Sequence, residues 1–407
     1  MTTSGSDSDW RRNQVAVTLA AFIGFTGFTL VMPFLPLYFE QLGVHDLGDI
    51  AIWSGISLGV TPAITAAMAP VWARVADRYG RKLMVARSLA SFAVIMSLMA
   101  LVDAPWQVFT LRAIQGLFAG YGAIAMTMAA ESAPAEHVAT AIGWVQSAQR
   151  LGPALGPVIG GVLAGWLGLR HAFYASALVY VAAFLLVVVG YREPAHRRAA
   201  AAADAAAPRV TFASLARVPH FLLFMGSIFG LQMVDRSFGP VLPLYLREIG
   251  AAVANVPFLS GLIFTVTAGM AAIGNQTTNW LLRRWPTAQL VPATAAMAAA
   301  GTALFAAGPP IGVLLVTAAV FGFGIGVATT AIYTSASLSV PAASRGVAFG
   351  YLTTAYLVGL AVSPIVAGFI GALSMRAVFV ADAIGLGLVA WIIRTRSTVL
   401  VRSNAAS

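Results

Sequence analysis

The sequence predicts an all-α membrane protein with twelve transmembrane helices in two pseudosymmetric six-helix bundles. Composition, a series of long apolar windows and an internal repeat support this fold class. Of the 407 residues, 59% are hydrophobic and 9% are charged, whereas soluble domains are about 45–50% apolar and about 25% charged. The mean hydropathy of +0.85 therefore indicates a chain whose surroundings are mostly lipid.

The apolar windows give the number of spans. A helix that crosses a bilayer needs about 20 largely apolar residues, and the sequence provides twelve such windows separated by short breaks with Pro, Gly or charge. The predicted spans are 14–39, 51–72, 83–102, 105–129, 139–164, 171–190, 221–245, 255–281, 288–308, 310–337, 345–370 and 375–393.

The basic residues predict the orientation of these spans. An even number of spans places both termini on one side. Eighteen of the 24 Lys and Arg residues fall in the loops and tails of that side, three on the other side and three within spans. Cytoplasmic loops carry the excess of Lys and Arg, so both termini are predicted to be cytoplasmic. The polar N-terminus reads as a cytosolic tail and not as a signal peptide.

The longest break divides the chain into two halves. We predict an N-terminal bundle at 1–190, a cytoplasmic linker at 191–220 and a C-terminal bundle at 221–407. The linker's Ala run and five Arg residues suggest a short helix on the inner leaflet, with a plain solubilising linker as the alternative.

The two halves are copies of each other. "PFLPLYFEQLG" at 33–43 matches "PVLPLYLREIG" at 240–250, and "WSGI" at 53 matches "LSGL" at 259. "GWVQSAQRLGPALGP" at 143 matches "GYLTTAYLVGLAVSP" at 350, and "RHAF" at 170 matches "RAVF" at 376. All these offsets are 206 or 207 residues. Six spans separate the copies, so the halves run parallel about an axis along the membrane normal, as in transporters that rock two bundles around a central site.

Several other functions are excluded or weakened. The chain has no Cys, which excludes disulfides, thiol catalysis and thiolate metal sites. Its five His residues provide no ligand pair at helical spacing, so no metal site is predicted. The net charge of +10 reflects loops that orient the chain, so no nucleic-acid partner is expected. No serine–histidine, paired-Asp or metal-ligand constellation lies within the spans, and we predict that the protein is not an enzyme.

Four sequence motifs can be recognised, in span one, in the loop after span two, in span four and in span five. The loop after span two contains Asp77, Arg78, Gly80, Arg81 and Lys82, and span four contains Arg112, Gln115 and Gly116. Span one carries Pro33, Pro36, Leu42 and Gly43. The fifth-span motif comprises Gly143, Gly152, Gly156, Pro157, Gly160 and Gly161.

Together with the repeat, these motifs resemble the major facilitator superfamily over the full length, and more narrowly its twelve-helix drug:proton antiporters. Ala73 and Val75 depart from the loop motif, which has Gly and Leu there. The resemblance implies that Asp77 and its basic neighbours latch helices together in the outward-open state. Glu131 is a candidate partner for Arg81 or Arg78. Positive-inside anchoring alone would explain the Arg residues but would not require Asp77.

The fifth-span glycines predict close helix packing. Gly152, Gly156 and Gly160 recur every four residues and share one face, where small residues let neighbouring backbones approach. Tight packing alone explains this pattern. The resemblance adds that in antiporters this face seals the pathway against leakage.

Charged residues within the spans are candidates for proton coupling, namely Arg112, Arg150, Asp235 and Asp382, with Arg236 beside Asp235. Asp235 lies about 21 Å along span seven at 1.5 Å per residue, which is near mid-membrane. Desolvation disfavours a charged carboxylate, a condition for loading and unloading a proton. The alternatives are a permanent ion pair with Arg112, Arg150 or Arg236, and direct substrate contact. Asp382 lies in span twelve, which the resemblance implies faces lipid or the bundle periphery, so Asp382 is a weaker candidate for the proton carrier than Asp235.

The predicted substrate cavity is mostly apolar, with few hydrogen-bonding groups and adaptable Met side chains. The resemblance implies that spans one, four, seven and ten line it, with contributions from spans five and eleven. The candidate residues on these spans are Met32, Gln115, Tyr121, Met126, Gln146, Gln149, Gln232, Met233, Phe238, Tyr333 and Tyr356. Each could equally serve helix packing. Such a wall suits lipophilic, including cationic, molecules better than sugars.

The sequence therefore favours proton-coupled export of small amphipathic or lipophilic drugs by alternating access. A dedicated sugar or amino-acid exporter of the same fold and a transport-incompetent sensor remain as alternatives. We expect a monomer that needs no cofactor, uses the proton gradient as its energy source and has small molecules, protons and the bilayer as partners. The Arg-rich, Lys-poor composition suggests the inner (plasma) membrane of a bacterium.

Overall fold

The computed structural model describes residues 3–134, 137–192, 215–218, 220–340 and 345–404, and every regular element in those ranges is a helix. Most of the predicted membrane-surface helix in the 191–220 linker lies outside the described residues. By length and hydropathy, nine helices in the described ranges could cross a membrane.

Helices occupy all twelve predicted spans. Their bounds, in the order of spans one to twelve, are Thr3–Leu30 with Leu35–Gln41, Leu47–Tyr79, Arg81–Met99, Pro105–Phe118 with Tyr121–Ser132, Val138–Leu167, Leu169–Leu185 with a π-helical turn at Leu186–Gly190, Phe221–Asp235 with Phe238–Glu248, Val256–Leu282, Thr287–Ala306, Ile311–Ser339, Arg345–Leu373 and Met375–Asn404. Span one begins and span twelve ends at the face that we call the terminal face. The other end of the bundle is the opposite face.

Three spans differ from the continuous helices that the sequence predicted. Spans one, four and seven are each divided into two shorter helices. Proline lacks a backbone N–H and cannot bond the carbonyl four residues earlier. Pro33 and Pro240 therefore leave the carbonyls of Thr29 and Arg236 without their helical partners, and the Thr29 carbonyl instead accepts from the Met32 N–H at 3.1 Å. Each of the two helices in span four, and each of the two in span seven, is too short to cross a membrane alone.

Span four divides at Gly120, which has a φ of 113°. Side chains strongly disfavour this region, and glycine enters it without cost. The carbonyls freed at the break are not left unpaired. Those of Leu117 and Phe118 accept hydrogen bonds from the Trp72 indole and the Ser88 hydroxyl, both at 2.7 Å. The break is thus held by the second and third spans.

Equivalent residues of the two halves make equivalent contacts, as the repeat predicts. The Tyr38 hydroxyl in span one donates to the Met99 carbonyl at the end of span three, at 2.6 Å. Tyr245, 207 residues later, donates in the same way to the Phe305 carbonyl at the end of span nine. Equivalent tyrosines therefore hydrogen-bond the first span of each half to the third span of that half.

The halves meet along two symmetric helix crossings. A Cβ atom built on Gly261 of span eight would overlap the carbonyl of Pro157 in span five. The equivalent pair, Gly55 of span two and Pro364 of span eleven, has the same overlap. Backbones at both crossings are in van der Waals contact, which only residues without a side chain permit.

Candidate functional site

A polar cluster lies where span seven divides. Asp235 is the last residue of the helix Phe221–Asp235, and its carboxylate pairs with the Arg236 guanidinium at 3.1 Å. Tyr356 of span eleven lies close to Arg236. Tyr333 of span ten lies close to Tyr356 and to Thr353, one turn from Tyr356. Three of the predicted site residues, Asp235, Tyr333 and Tyr356, are thereby brought into one region of the C-terminal half.

The ion pair at this cluster is one of the alternatives that the sequence left open. Successive side chains on a helix point about 100° apart, which suggested that Arg236 need not neutralise Asp235. The helix ends at Asp235, however, and Arg236 lies in the turn that follows. The two side chains can therefore meet, and both remain partly exposed, at 19% for Asp235 and 29% for Arg236.

A second polar cluster is buried in the N-terminal half. Arg112 is only 2% exposed and donates to the Gln115 side-chain oxygen at 3.1 Å. The hydroxyls of Tyr121 and Tyr180 are also buried, and Phe92 packs edge-on against both rings. Two further guanidinium nitrogens of Arg112 have no partner among the described residues. Arg112 does not meet Asp235 in this structure, and Arg150 is exposed, so the three predicted proton-coupling residues do not form one cluster.

The remaining predicted cavity residues divide by burial. Gln115, Tyr121, Gln232 and Phe238 are buried within the halves, so they do not line an open cavity in this structure. Phe238, for example, packs against Phe305, Phe321 and Phe379. The accessible or partly accessible members are Met32, Met126, Gln146, Gln149, Met233, Tyr333 and Tyr356. Gln149 is held by a 2.8 Å hydrogen bond to the Gly122 carbonyl near the break of span four.

Asp382 lies on span twelve, which the resemblance places against lipid or at the bundle periphery. Its side chain is nevertheless only 7% exposed. It accepts a 2.5 Å hydrogen bond from the Ser237 hydroxyl, which lies at the break of span seven. Span seven therefore carries one intramembrane aspartate of the C-terminal half, Asp235, and is hydrogen-bonded to the other, Asp382.

The loop between spans two and three is anchored to the N-terminal half. Gly80, with a φ of 114°, ends one helix and begins the next. Lys82 donates to the carbonyls of Val188 and Tyr191 at 2.7 Å each. Arg81 pairs with Glu131 at the end of span four, the partner that the sequence suggested. Arg78 lies over the Tyr79 ring, and the Asp77 side chain lies outside the described part of the chain.

The fifth-span glycines pack against span one at backbone distance. A Cβ atom at Gly152 would lie 2.7 Å from the Phe22 carbonyl, and one at Gly160 would overlap the Leu30 carbonyl. Gly156 faces Thr26 and Thr29 in the same way. Gly161 faces Pro257 of span eight, so it contacts the other half, whereas a Cβ at Gly143 would have nothing within 4 Å. Within this motif, Gly152, Gly156 and Gly160 therefore pack inside the N-terminal half, Gly161 contacts the other half, and Gly143 has no close neighbour.

One ion pair joins the halves at the opposite face. Glu40 lies in the short second helix of span one, and Arg247 lies in the second helix of span seven; their side chains pair directly. Neither residue was among the candidates from the sequence, although they occupy equivalent positions of the repeat, 207 residues apart, with opposite charges. This pair, together with the crossings at Gly55 and Gly261, closes the two halves against each other toward the opposite face.

A charge exchange at this pair tests its contribution. We expect Glu40→Arg and Arg247→Glu each to weaken closure of the opposite face, because each variant places like charges together. The double variant restores an opposite-charge pair and should restore closure. The coupling for a partly exposed pair should amount to about twofold to fivefold in transport rate. Efflux by the two single variants and the double variant at matched abundance measures it. Single variants that transport as well as the unchanged protein would leave the pair without a role in closure.

Two symmetric six-helix halves that meet at close backbone crossings, with ionisable side chains inside the spans, define a membrane transporter. Comparison with known proteins gives the family. The Major Facilitator Superfamily profile matches residues 17–356, and the chain belongs to this superfamily.

Curated relatives are similar over about two thirds of their length. The chain is 36% identical over 276 residues to the multidrug resistance protein MdtG of Salmonella paratyphi C (strain RKS4594), covering 67% of each chain. It is 30% identical over 270 residues to MdtG of Proteus mirabilis (strain HI4320), covering 66% of each.

Solved structures show the same fold. A bacterial homolog of the human lysosomal transporter Spinster, in an inward-facing and occupied conformation, superposes with a TM-score of 0.79 at 17% identity. That alignment covers 95% of this chain and 96% of the other. The nucleoside transporter NupG superposes with a TM-score of 0.70 at 15% identity, covering 94% and 98% of the two chains.

Proposed function

We propose that this protein exports small lipophilic or amphipathic compounds, including cations, in exchange for protons. The observation that carries the proposal is the similarity to relatives named multidrug resistance protein, at up to 36% identity over two thirds of the chain. The partly accessible Met and Tyr residues near the breaks of the spans support this substrate class, because such side chains adapt to varied apolar molecules.

The proposed orientation places the terminal face in the cytoplasm of a bacterium, with both termini inside and the chain in the inner membrane. The excess of basic residues in the loops of that face supports it. Residues 1–190 and 221–407 act as two rocking bundles joined by the cytoplasmic linker 191–220. The protein works as a monomer in the bilayer, draws its energy from the proton gradient and needs no cofactor.

Alternating access follows from the way the halves meet. The Glu40–Arg247 pair and the two glycine crossings join the halves toward the opposite face, and in the proposed cycle compounds enter from the terminal face while these contacts hold. Rocking about the crossings opens the opposite face and breaks the ion pair. The loop around Asp77 then latches the terminal face.

Coupling to protons is assigned to Asp235. Its carboxylate is paired with Arg236 in this state, and protonation removes the charge that holds the pair. Arg236 is then retained by Tyr356, while the neutral carboxyl no longer attracts a cationic compound. Proton and cation thus compete for one group, which is the requirement for exchange.

Everted vesicles with an imposed pH gradient test the proposed function. Lipophilic cations, neutral lipophilic compounds, sugars and amino acids are added one at a time to the medium, and their gradient-driven accumulation inside the vesicles is measured. We expect accumulation of the lipophilic members alone. Accumulation of sugars or amino acids alone would identify a dedicated metabolite exporter instead, and no accumulation of any member would contradict proton-driven export.

The loop after span two provides a further prediction. Asp77→Asn should slow efflux severalfold without reducing the amount of protein in the membrane, because the basic residues that orient the chain remain. Asp49→Asn, at the other end of the same helix, is the matched control and should transport normally. If Asp77→Asn transports at the wild-type rate at equal abundance, the loop only orients the chain in the membrane and has no role in gating.

A further inference from the structure

A cavity of about 360 Å³ lies between spans seven, eleven and twelve of the C-terminal half. Its volume falls within the range of ligand pockets in proteins, about 300–1,000 Å³. The lining is apolar apart from Asp382, Ser237 and Ser363. This combination of an apolar wall and few polar groups is typical of sites for small organic molecules.

The carboxylate of Asp382 is the charged group of this cavity. It is 7% exposed and is hydrogen-bonded at 2.5 Å to the Ser237 hydroxyl, a neutral group whose single proton is also within reach of the Val234 carbonyl at 2.8 Å. Ser363 is already committed to the Met233 carbonyl. An uncompensated carboxylate is costly in an apolar site, and a cation seated in the cavity would offset that cost.

The spans around Asp382 supply no described ion-pair partner for it. On span seven, Arg236 is paired with Asp235. The lining residues of span eleven are uncharged, and span nine, which packs against span twelve, has no charged residue between Thr287 and Ala306. The described residues of these spans therefore supply no cation to Asp382, which leaves its charge to be neutralised by a proton or by a ligand cation.

The cavity opens on the side of the bundle. Val366 and Leu388, two of its lining residues, are 37% and 52% exposed. Exposed apolar side chains within a span face hydrocarbon, so a ligand would reach the cavity from the bilayer. Met233 and Phe229 also line it, and the flexible thioether of Met233 can adapt to ligands of different shape.

We propose that this cavity binds a lipophilic cation that enters from the membrane, with Asp382 as its counterion. The site lies beside the polar cluster of Asp235 and is separate from it. The ligand class follows from Asp382 and the apolar lining, and not from the function proposed above. A binding measurement can therefore fail or succeed independently of whether the protein exports drugs.

The absence of Cys in the natural sequence allows a direct test with single cysteines. Val366→Cys places a thiol in the cavity, and its alkylation by N-ethylmaleimide is followed in nanodiscs with and without tetraphenylphosphonium. Val358→Cys, on the same helix and 43% exposed, is the matched control outside the cavity. We expect tetraphenylphosphonium to slow alkylation of Val366→Cys and to leave Val358→Cys unchanged.

Asp382→Asn in the Val366→Cys background isolates the charge, since asparagine can still accept from Ser237. The tetraphenylphosphonium concentration needed for protection should rise at least about tenfold. Gly385→Leu, which fills the cavity without altering the acid, should also abolish protection. Unchanged protection in Asp382→Asn, or equal protection by an uncharged triphenyl analogue, would overturn the proposal in favour of an apolar groove for lipid. Equal slowing at Val358→Cys would overturn it in favour of simple membrane partition.

Discussion

Gly160→Ala is expected to reduce transport to near background, whereas Gly143→Ala should leave it unchanged. A Cβ atom at Gly160 would occupy the position of the Leu30 carbonyl. This carbonyl ends the first helix of span one, so the backbone cannot yield without shifting the break at residues 31–34. The two glycines lie on the same helix and belong to the same motif, yet the Cβ at Gly143 would have nothing within 4 Å.

The size of the effect follows from overpacking. Added atoms in a well-packed interior cost about 1–3 kcal/mol when side chains can move, and a backbone carbonyl can move less than a side chain. A loss of this size corresponds to about fivefold to 160-fold in any equilibrium that needs the close approach. Dye efflux at matched expression and the thermal stability of the detergent-solubilised variants measure the two consequences separately.

Gly156 refines this prediction. The sequence predicts that Gly156→Leu blocks exchange by forcing the helices apart and that Gly156→Ala has a milder effect. The structure places Thr26 and Thr29 against Gly156, so Gly156→Ala should already impair transport. Transport by Gly156→Ala and Gly160→Ala at the rate of Gly143→Ala would show that close contact between spans one and five is not required.

The sequence was sufficient for the fold because lipid imposes long apolar windows that can be counted. It did not reveal the divided spans. Residues 29–36 remain largely apolar, so hydropathy shows no interruption at the break of span one, whereas the break of span seven coincides with the charged pair Asp235 and Arg236. The signal available was Pro33 and Pro240, since each proline frees a carbonyl four residues earlier. The repeat strengthens that signal because the two prolines are equivalent.

The candidate site was harder to predict, for a different physical reason. Span twelve is apolar on most of its circumference, so its sequence does not indicate which side faces the bundle. The resemblance placed span twelve against lipid or at the bundle periphery, and neither it nor the sequence showed that Asp382 is hydrogen-bonded to Ser237 of span seven. The pairing of Asp235 with Arg236 depends on the end of a helix between them. Burial of Gln232 and Phe238 likewise depends on packing that spacing alone does not specify.

Asp235→Asn is expected to abolish pH-driven efflux of lipophilic cations while neutral compounds still bind. The asparagine cannot carry a proton and cannot attract a cation, so the competition between proton and compound is lost. Uphill efflux from energised vesicles should fall to the level seen without a pH gradient. Asp103→Asn, which removes a carboxylate paired with Arg170 at the protein surface, is the control for loss of an ion pair elsewhere.

Removing Asp235 also leaves Arg236 without its carboxylate, and an unpaired charge inside a span is itself destabilising. The double variant Asp235→Asn with Arg236→Gln removes both charges and so separates this cost from the loss of the proton carrier. We expect the double variant to recover abundance and downhill flux but not uphill efflux. Drug-induced proton release from the solubilised protein should be absent from both variants. Continued proton release and uphill efflux in the double variant would assign the proton to another acid, with Glu131 and Asp382 as the next candidates, because neither depends on Arg236 for its hydrogen-bond or ion-pair partner.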